Sequence, residues 1–190
     1  VRPNLLARLA VLVAALAITG ASLAQSLTMA GGFAGGTFND FVDGIATTVG
    51  AQLPGVQVAP AESLGSVENL LRMRAGEFDM AVVFAGDGYL AFNGLDAFDD
   101  EEQSNRHVRA VGFLYSAVSQ VVTLADSGIE TFDDLVGKRI AVGEVGSGTH
   151  MAMHRLLVAA GIRDEVFLQF VSGIAASEAL LAGRVDAYHV

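Results

Sequence analysis

The chain has 190 residues, with 11 Lys and Arg against 21 Asp and Glu, for a net charge of −10. An apolar share of 52% with 17% charge excludes disorder and is enough to bury a core without staples. The acidic balance excludes nucleic acid, whose phosphates need clustered Lys and Arg, and the lack of Cys excludes disulfide frameworks, Cys-ligated zinc, iron–sulfur clusters and thiol nucleophiles.

Arg2 and Arg8 open the chain, Leu9–Thr19 is apolar and uncharged, and Ser22 and Ala24 put small residues before a cut after Ala24. This is the pattern of a secretory signal peptide over residues 1–24, with an apolar run shorter than the ~20 residues that span a bilayer. No Cys follows the cut, so a lipid anchor is excluded. Its removal leaves a charge of −12 on a mature protein expected to be soluble and periplasmic.

Short apolar runs then alternate with helical patterns, which predicts βαβ units and a mostly parallel sheet. Ser26–Ala30 reads as a strand. Phe41, Ile45, Val49 and Leu53 recur along one helix face, ended by Pro54-Gly55. Val56–Ala59 is a strand, Val67–Arg74 a helix stopped by Gly76, and Met80–Phe84 a continuous strand of the buried type. Asp96–Asn105 reads as an acidic surface loop. Val108–Leu114 and Gln120–Leu124 are strand-like, with an interdomain crossover at Tyr115-Ser116. Thr131–Val136 reads as a short helix, Arg139–Val142 as a strand, His150–Ala160 as a helix and Phe167–Val171 as a strand. Ile174–Ala182 is a further helix, and Ala187–Val190 begins a strand.

The pattern repeats. Ala75-Gly76-Glu77-Phe78-Asp79 and Ala182-Gly183-Arg184-Val185-Asp186 each lead into a strand, 107 positions apart. Gly35-Gly36-Thr37 and Gly146-Ser147-Gly148-Thr149 each open a helix, their threonines 112 apart. Two α/β lobes on one plan are predicted: lobe 1 over 25–115 and lobe 2 over 116–190. In such sheets the crevice lies at the carboxyl ends of the strands, where helix starts offer free N–H groups and partial positive charge to an anion. Gly35 and Gly36 allow close approach, and Thr37 caps or donates a hydroxyl. Gly146, Ser147, Gly148 and Thr149 offer the same set from the other lobe. Leu64-Gly65-Ser66 makes a third turn before the Val67 helix, and Ser66 followed by Val67-Glu68-Asn69 is close to a capping arrangement. Any one such turn alone is an ordinary helix start; three at one sheet end predict a small anionic ligand in a cleft.

Lys138 and Arg139 fall at a strand's far end, as solvated surface. Signals of catalysis are poor. Phe33 breaks a GxGxxG pattern, no GxxxxGK[ST] occurs, and Val145 breaks a GxSxG elbow. His150 and His154 have the spacing of a two-His metal face without the Glu of HExxH, so a solvated face is the better reading and no metal is assigned. Asp99 to Glu102 read as surface charge, and Asp133-Asp134 suit a helix first turn.

From Gln25 to Val190 the chain resembles the TAXI family of TRAP-transporter solute-binding receptors. The resemblance rests on Gly35-Gly36-Thr37-Phe38, Gly65-Ser66-Val67-Glu68-Asn69-Leu70 and Gly76-Glu77-Phe78-Asp79-Met80-Ala81. It extends through Tyr89, Asn93-Gly94, Ala125-Asp126-Ser127-Gly128-Ile129, Leu135 to Gly143, Gly146-Ser147-Gly148-Thr149 and Gly183-Arg184-Val185-Asp186-Ala187. It implies a type II periplasmic-binding-protein-like α/β fold of two doubly wound lobes. It also implies capture of a small carboxylate, such as glutamate or a related organic acid, for a sodium-coupled membrane permease. Three departures stand out. Phe84 replaces a frequent polar Gln and removes a donor from the cleft, Asn39 replaces an aromatic, and the chain stops where the second lobe would be incomplete.

The expectation is a monomeric receptor with no cofactor. Its ligand contacts are Gly35, Gly36, Thr37, Phe38, Gly65, Ser66, Phe84, Tyr115, Gly146, Ser147, Gly148 and Thr149. Its partners are the carboxylate and the TRAP permease subunits, and strands near Tyr115–Ser119 form the hinge. The alternative is a periplasmic sensory module that partners a membrane kinase or another protein. An enzyme has the least support, since no nucleophile–base pair is present.

Overall fold

A computed structural model describes residues 25–99 and 105–190. The expected leader (1–24) and Asp100, Glu101 and Glu102 lie outside the described residues. β1 (Gln25–Ala30) leads to α1 (Thr37–Gln52), β2 (Val56–Ala61) to α2 (Ser66–Arg74), and β3 (Met80–Ala81) to α3 (Ala85–Asn93). β4 (Val121–Thr123) precedes β5 (Arg139–Ala141), α4 (Gly148–Ala160), β6 (Phe167–Gln169), α5 (Gly173–Leu181) and β7 (Ala187–His189).

These strands make two sheets. The first has the order β2-β1-β3, all parallel. The second has the order β4-β7-β5-β6, parallel except for β4 against β7. The run β6-β5-β7 therefore repeats β2-β1-β3.

The repeated sequence motif has one physical job in both sheets. Gly76 and Gly183 take φ values of 74° and 67°, which only glycine adopts without strain. The chain then turns back, and Asp79 and Asp186 meet the neighbouring central strand. Asp79 accepts the Thr28 N–H at 2.7 Å and returns its own N–H to the Thr28 carbonyl at 3.0 Å. Asp186 does the same with Arg139, at 2.7 Å and 2.8 Å. Arg139 is thus no free surface cation, because its guanidinium also grips Asp186 at 2.7 Å. That hydrogen bond holds the Asp186 carboxyl below its ordinary range.

Helices cover the sheets through apolar faces. On α1 the buried row is Phe38, Val42 and Ile45, which packs on Met29, Val58, Met80 and Val82. Of the predicted row Phe41, Ile45, Val49 and Leu53, only Ile45 joins this core cluster, and Leu53 is exposed. Residues four apart drift by about 40° per step on an α-helix, so a long row of that spacing winds off any face. In the second sheet Met153 and Leu157 of α4 pack on Ile140 and Ala187, while Ala176, Ala179 and Leu180 of α5 cover the other side.

Four expectations need correction. β3 stops at Ala81 and α3 follows, so Met80–Phe84 is not one long strand. Residues 108–114 form no strand; no neighbouring strand among the described residues supplies a ladder, and Val111 and Phe113 are exposed. Thr131–Val136 shortens to one 3-10 turn at Asp133–Leu135, where Asp134 accepts the Glu130 and Thr131 N–H groups. Of the Asp96–Asn105 stretch, read as surface, residues 100–104 lie outside the described residues, while Phe98 is fully buried and Asn105 donates to the Leu70 carbonyl at 2.6 Å.

Asn69 ties the first sheet to α2. Fully buried, it donates to the carbonyls of Gly31 at 2.7 Å and Val82 at 2.8 Å, just past the ends of β1 and β3. Asn69→Ala withdraws the donor from two carbonyls and is expected to cost about 2–4 kcal/mol of unfolding free energy in urea titration. A loss well below about 1 kcal/mol would show that this tie does not hold the strand ends.

Candidate functional site

All five α-helices among the described residues start just beyond the carboxyl end of a strand, so their free N–H groups lie on the predicted side of the sheets. The starts of α1 and α4 are equivalent at 111 positions apart, with Gly36 and Ser147 as the capping residues. Thr37 is therefore the first helical residue rather than the cap, and Thr149 the second. Gly36 offers no side chain, while the Ser147 hydroxyl accepts the His150 N–H at 3.1 Å. In the third turn the cap is Gly65, at φ 121°. There Glu68 reaches back to accept the Leu64 N–H at 2.7 Å, as a capping box does.

The two sheets meet at these turns. The Gly146 carbonyl accepts the Glu68 N–H at 3.2 Å, so a turn from the second sheet satisfies the start of α2. A Cβ on Gly65 would stand 3.9 Å from Ser147 and from Gly148. Ser66, fully buried, accepts the Phe84 N–H at 2.9 Å. The Phe84 ring then lies over Gly148, where a Cβ would come within 2.3 Å of it. Phe84 also packs on Phe38 at 5.0 Å between ring centroids, and Phe38 lies 6.4 Å from Tyr115. Tyr115 stacks on Phe41 at 5.1 Å and 12°. Gly65, Ser66, Phe84, Gly146, Ser147 and Gly148 thus form one seam, with Phe38 and Tyr115 behind it.

Gly35, Gly36 and Thr37 stand beside this seam. Phe33 bridges them to the second sheet, lying 3.1 Å from a Cβ placed on Gly173 at the start of α5. Thr37 is exposed and lines a groove of about 460 Å³ along α1, with Phe41, Ile45 and Thr48. Thr149 is not part of that groove. Its carbonyl lies 3.2 Å from His189 Nδ1, which makes Nδ1 the protonated nitrogen and leaves Nε2 buried without a partner.

An ion-pair cluster that the sequence reading missed spans the same seam. Arg155 of α4 reaches Asp87 of α3 at 2.9 Å and Asp96 at 2.8 Å. Burial disfavours the charge on Arg155, but the hydrogen bonds to Asp96 and Asp87 outweigh it and raise its pKa. Gly86 and Gly88, poor helix formers, hid α3. The signals that betray it are Asp87 in its first turn and Gly94 as a left-handed stop at φ 64°.

His154 does not pair with His150 as a metal face would require. Its Nδ1 accepts the Arg163 Nε–H at 3.2 Å, and His150 lies edge-on to Phe170. Among the described residues no group of three or more His, Asp or Glu could hold a metal ion, and no helix is long and apolar enough to cross a membrane.

The family model described as NMT1-like matches residues 29–190. Among solved structures, the alkanesulfonate-binding protein SsuA from Xanthomonas axonopodis pv. citri, bound to MOPS, is 20% identical with a TM-score of 0.56; the match covers 87% of this chain and 54% of SsuA. Lactococcal OpuAC, closed on glycine betaine, is 16% identical with a TM-score of 0.61 over 87% of this chain and 64% of its own. The regulatory domain of CcmR from Synechocystis, in complex with 2-PG, is 15% identical with a TM-score of 0.52 over 87% and 72%. The likeness is one of fold, that of type II periplasmic solute-binding proteins, and this chain spans 54% of the length of SsuA.

Two outcomes follow from the seam. Gly148→Ala pushes a methyl into the Phe84 ring and is expected to cost about 1–3 kcal/mol. Combined with Phe84→Ala, the loss in urea titration should be less than the sum of the two single losses; strict additivity would show that the ring and the glycine are not in contact. Burial also lowers the pKa values of His189 and His150. The unfolded chain then binds these protons at higher pH than the folded one, so stability should fall as pH drops below about 6.5 and level off below the folded-state values. Denaturation midpoints across that range would check it. His189→Gln should remove part of the slope, and an unchanged slope would refute the assignment to His189.

Proposed function

The chain belongs to the NMT1-like family, and from that premise we propose that it is a solute-binding receptor of the transport type, without a catalytic step of its own. The finer reading is that of a TAXI-type receptor, exported by a leader cut after Ala24. It captures a small carboxylate in the periplasm between lobes 25–115 and 116–190, and delivers it to a TRAP-type sodium-coupled permease. The segment near Tyr115–Ser119 serves as the hinge.

The observation that carries this reading is the convergence of helix starts from two sheets on one seam, joined where Gly146 meets Glu68. Backbone N–H groups there favour a carboxylate by hydrogen bonds and by the aligned peptide dipoles. The chain's charge of −10 repels an anion at long range, so capture must come from these local dipoles. Gly35, Gly36 and Thr37 would hold one side of the ligand and Ser147 to Thr149 the other. Ser66 keeps its hydroxyl proton to donate after accepting from Phe84. Phe38, Phe84 and Tyr115 form the apolar wall, and Gly65 with Gly146 lets the backbones approach. A solute touching both lobes binds the closed arrangement better than the open one, which is what drives closure.

A sensory module that binds a small anion and signals to a partner protein is the second reading. It is favoured by the likeness to a regulatory domain in complex with 2-PG.

Thermal denaturation of the complete protein with a panel of organic acids tests the main reading. A matched carboxylate at a hundredfold excess over Kd adds about 2.7 kcal/mol and should raise Tm by roughly 5–10 °C. No shift with any carboxylate, alongside a clear shift with a sulfonate or a betaine, would keep the receptor and overturn the carboxylate.

A further inference from the structure

We propose that Asp87 fills, from within the chain, the anion site at the start of α4. The two sheets are then joined there without a solute, and a carboxylate ligand reaching that helix start has to displace Asp87, whose Oδ2 lies against Gly148 without accepting a hydrogen bond from it. The proposal rests on the receptor reading for the ligand, but the contact itself is read from the seam alone.

α4 has 13 residues, and its start is partly unsatisfied. Ser147 serves the His150 N–H, while the N–H groups of Gly148 and Thr149 have no acceptor among the described residues. Asp87 comes from α3, which belongs with the first sheet, and is only 1% exposed. Its Oδ1 accepts from Arg155 Nη1 at 2.9 Å, while its Oδ2 is buried and has no hydrogen-bond partner. That Oδ2 lies 2.8 Å from where a Cβ on Gly148 would stand, which places it against the first residue of α4. A buried carboxylate oxygen without a donor is costly, and the partial positive charge of a helix start is what offsets it.

The chemistry is complete without a solute. A carboxylate, a helix start and a guanidinium are the parts of a carboxylate-binding site, and here the carboxylate is covalently part of the chain. Arg155 adds its charge from the same helix, seven residues on, but Asp96 already claims a share of it at 2.8 Å. One cation facing two carboxylates leaves a net negative charge, which turns away a further anion. Gly148 cannot be spared, because any side chain there meets both Phe84 and Asp87.

The test is chemical rescue of Asp87→Ala by acetate and formate, each compared with chloride at matched ionic strength. The wild type should show no difference between acetate and chloride. Asp87→Ala should melt about 5–15 °C lower and recover part of the loss in acetate or formate but not in chloride. Equal effects of acetate and chloride on Asp87→Ala would overturn the proposal, as would an equal acetate gain in the wild type. If Asp87→Ala does not fold, Asp87→Asn decides through the amide resonances of Gly148 and Thr149. Both should shift when the charge is lost, and unmoved resonances would overturn the assignment. Rescue of Asp87→Ala with no response of the complete wild-type protein to any solute would keep the Asp87 contact and count only against the receptor reading.

Discussion

Everything at the junction of the two sheets depends on a close approach of backbone to backbone between the Gly146–Gly148 turn and the starts of α2 and α3. Gly148 has no side chain, so the Phe84 ring and the Asp87 carboxylate can lie against the first turn of α4. Gly146 takes φ 87°, which turns its carbonyl toward the Glu68 N–H. A polar group at the start of α2 and apolar groups beside it are satisfied by the same turn. Met151 then enters the cluster of Val67, Leu70, Ala91 and Phe98, so α4 completes a core that the first sheet's helices leave open.

The duplicated plan explains why two sheets present the same kind of edge. In each, a glycine with positive φ releases the chain from a helix, an aspartate docks on the central strand, and the strand that follows pairs in parallel. The central strand then runs into a Gly-rich turn and a helix. Because the aspartates sit at the start of the strands, the helix starts all fall at the opposite end. The aspartate ties and the helix-start dipoles are thereby separated by the length of a strand. Arg139 belongs to the first group and Arg155 to the second, though composition alone does not distinguish them.

Most of the fold was legible in the sequence because it depends on local chemistry. Glycine stops, apolar strands and Gly-rich helix starts act within a few residues of where they stand, which is why the helix over His150–Ala160, two residues short of its start at Gly148, and the repeat at Asp79 and Asp186 are readable. Errors arose where tertiary context decides. Val108–Leu114 has strand composition but lacks a strand beside it. The α1 face was misjudged because a spacing of four reads as a row on paper and winds around a real helix. α3 was hidden by two glycines whose low propensity is outweighed by the packing of Ala91 and the Asp87 ion pair. In the candidate site, the turns were readable and the cluster of Asp87, Asp96 and Arg155 was not. Its members lie 68 and 59 residues apart in sequence, and nothing local marks them as partners.

The contacts at the seam differ in what they can contribute to a response. Met151 in its cluster and Phe84 on Gly148 are apolar contacts, which favour the joined arrangement in the same way whether or not a solute is present. They set the baseline and cannot discriminate. The groups that would change partners on separation are polar: the Glu68 N–H, the Gly146 carbonyl, Asp87 and Arg155. Water replaces the first two partners at modest cost, since each exchanges one neutral hydrogen bond for another. Asp87 is different, because it is buried and charged, and its Oδ2 depends on the electrostatics of the helix start. On the proposed receptor reading, the dependence of any opening on solute therefore concentrates at Asp87, where a carboxylate solute would compete with the resident carboxylate for the same positive end of α4.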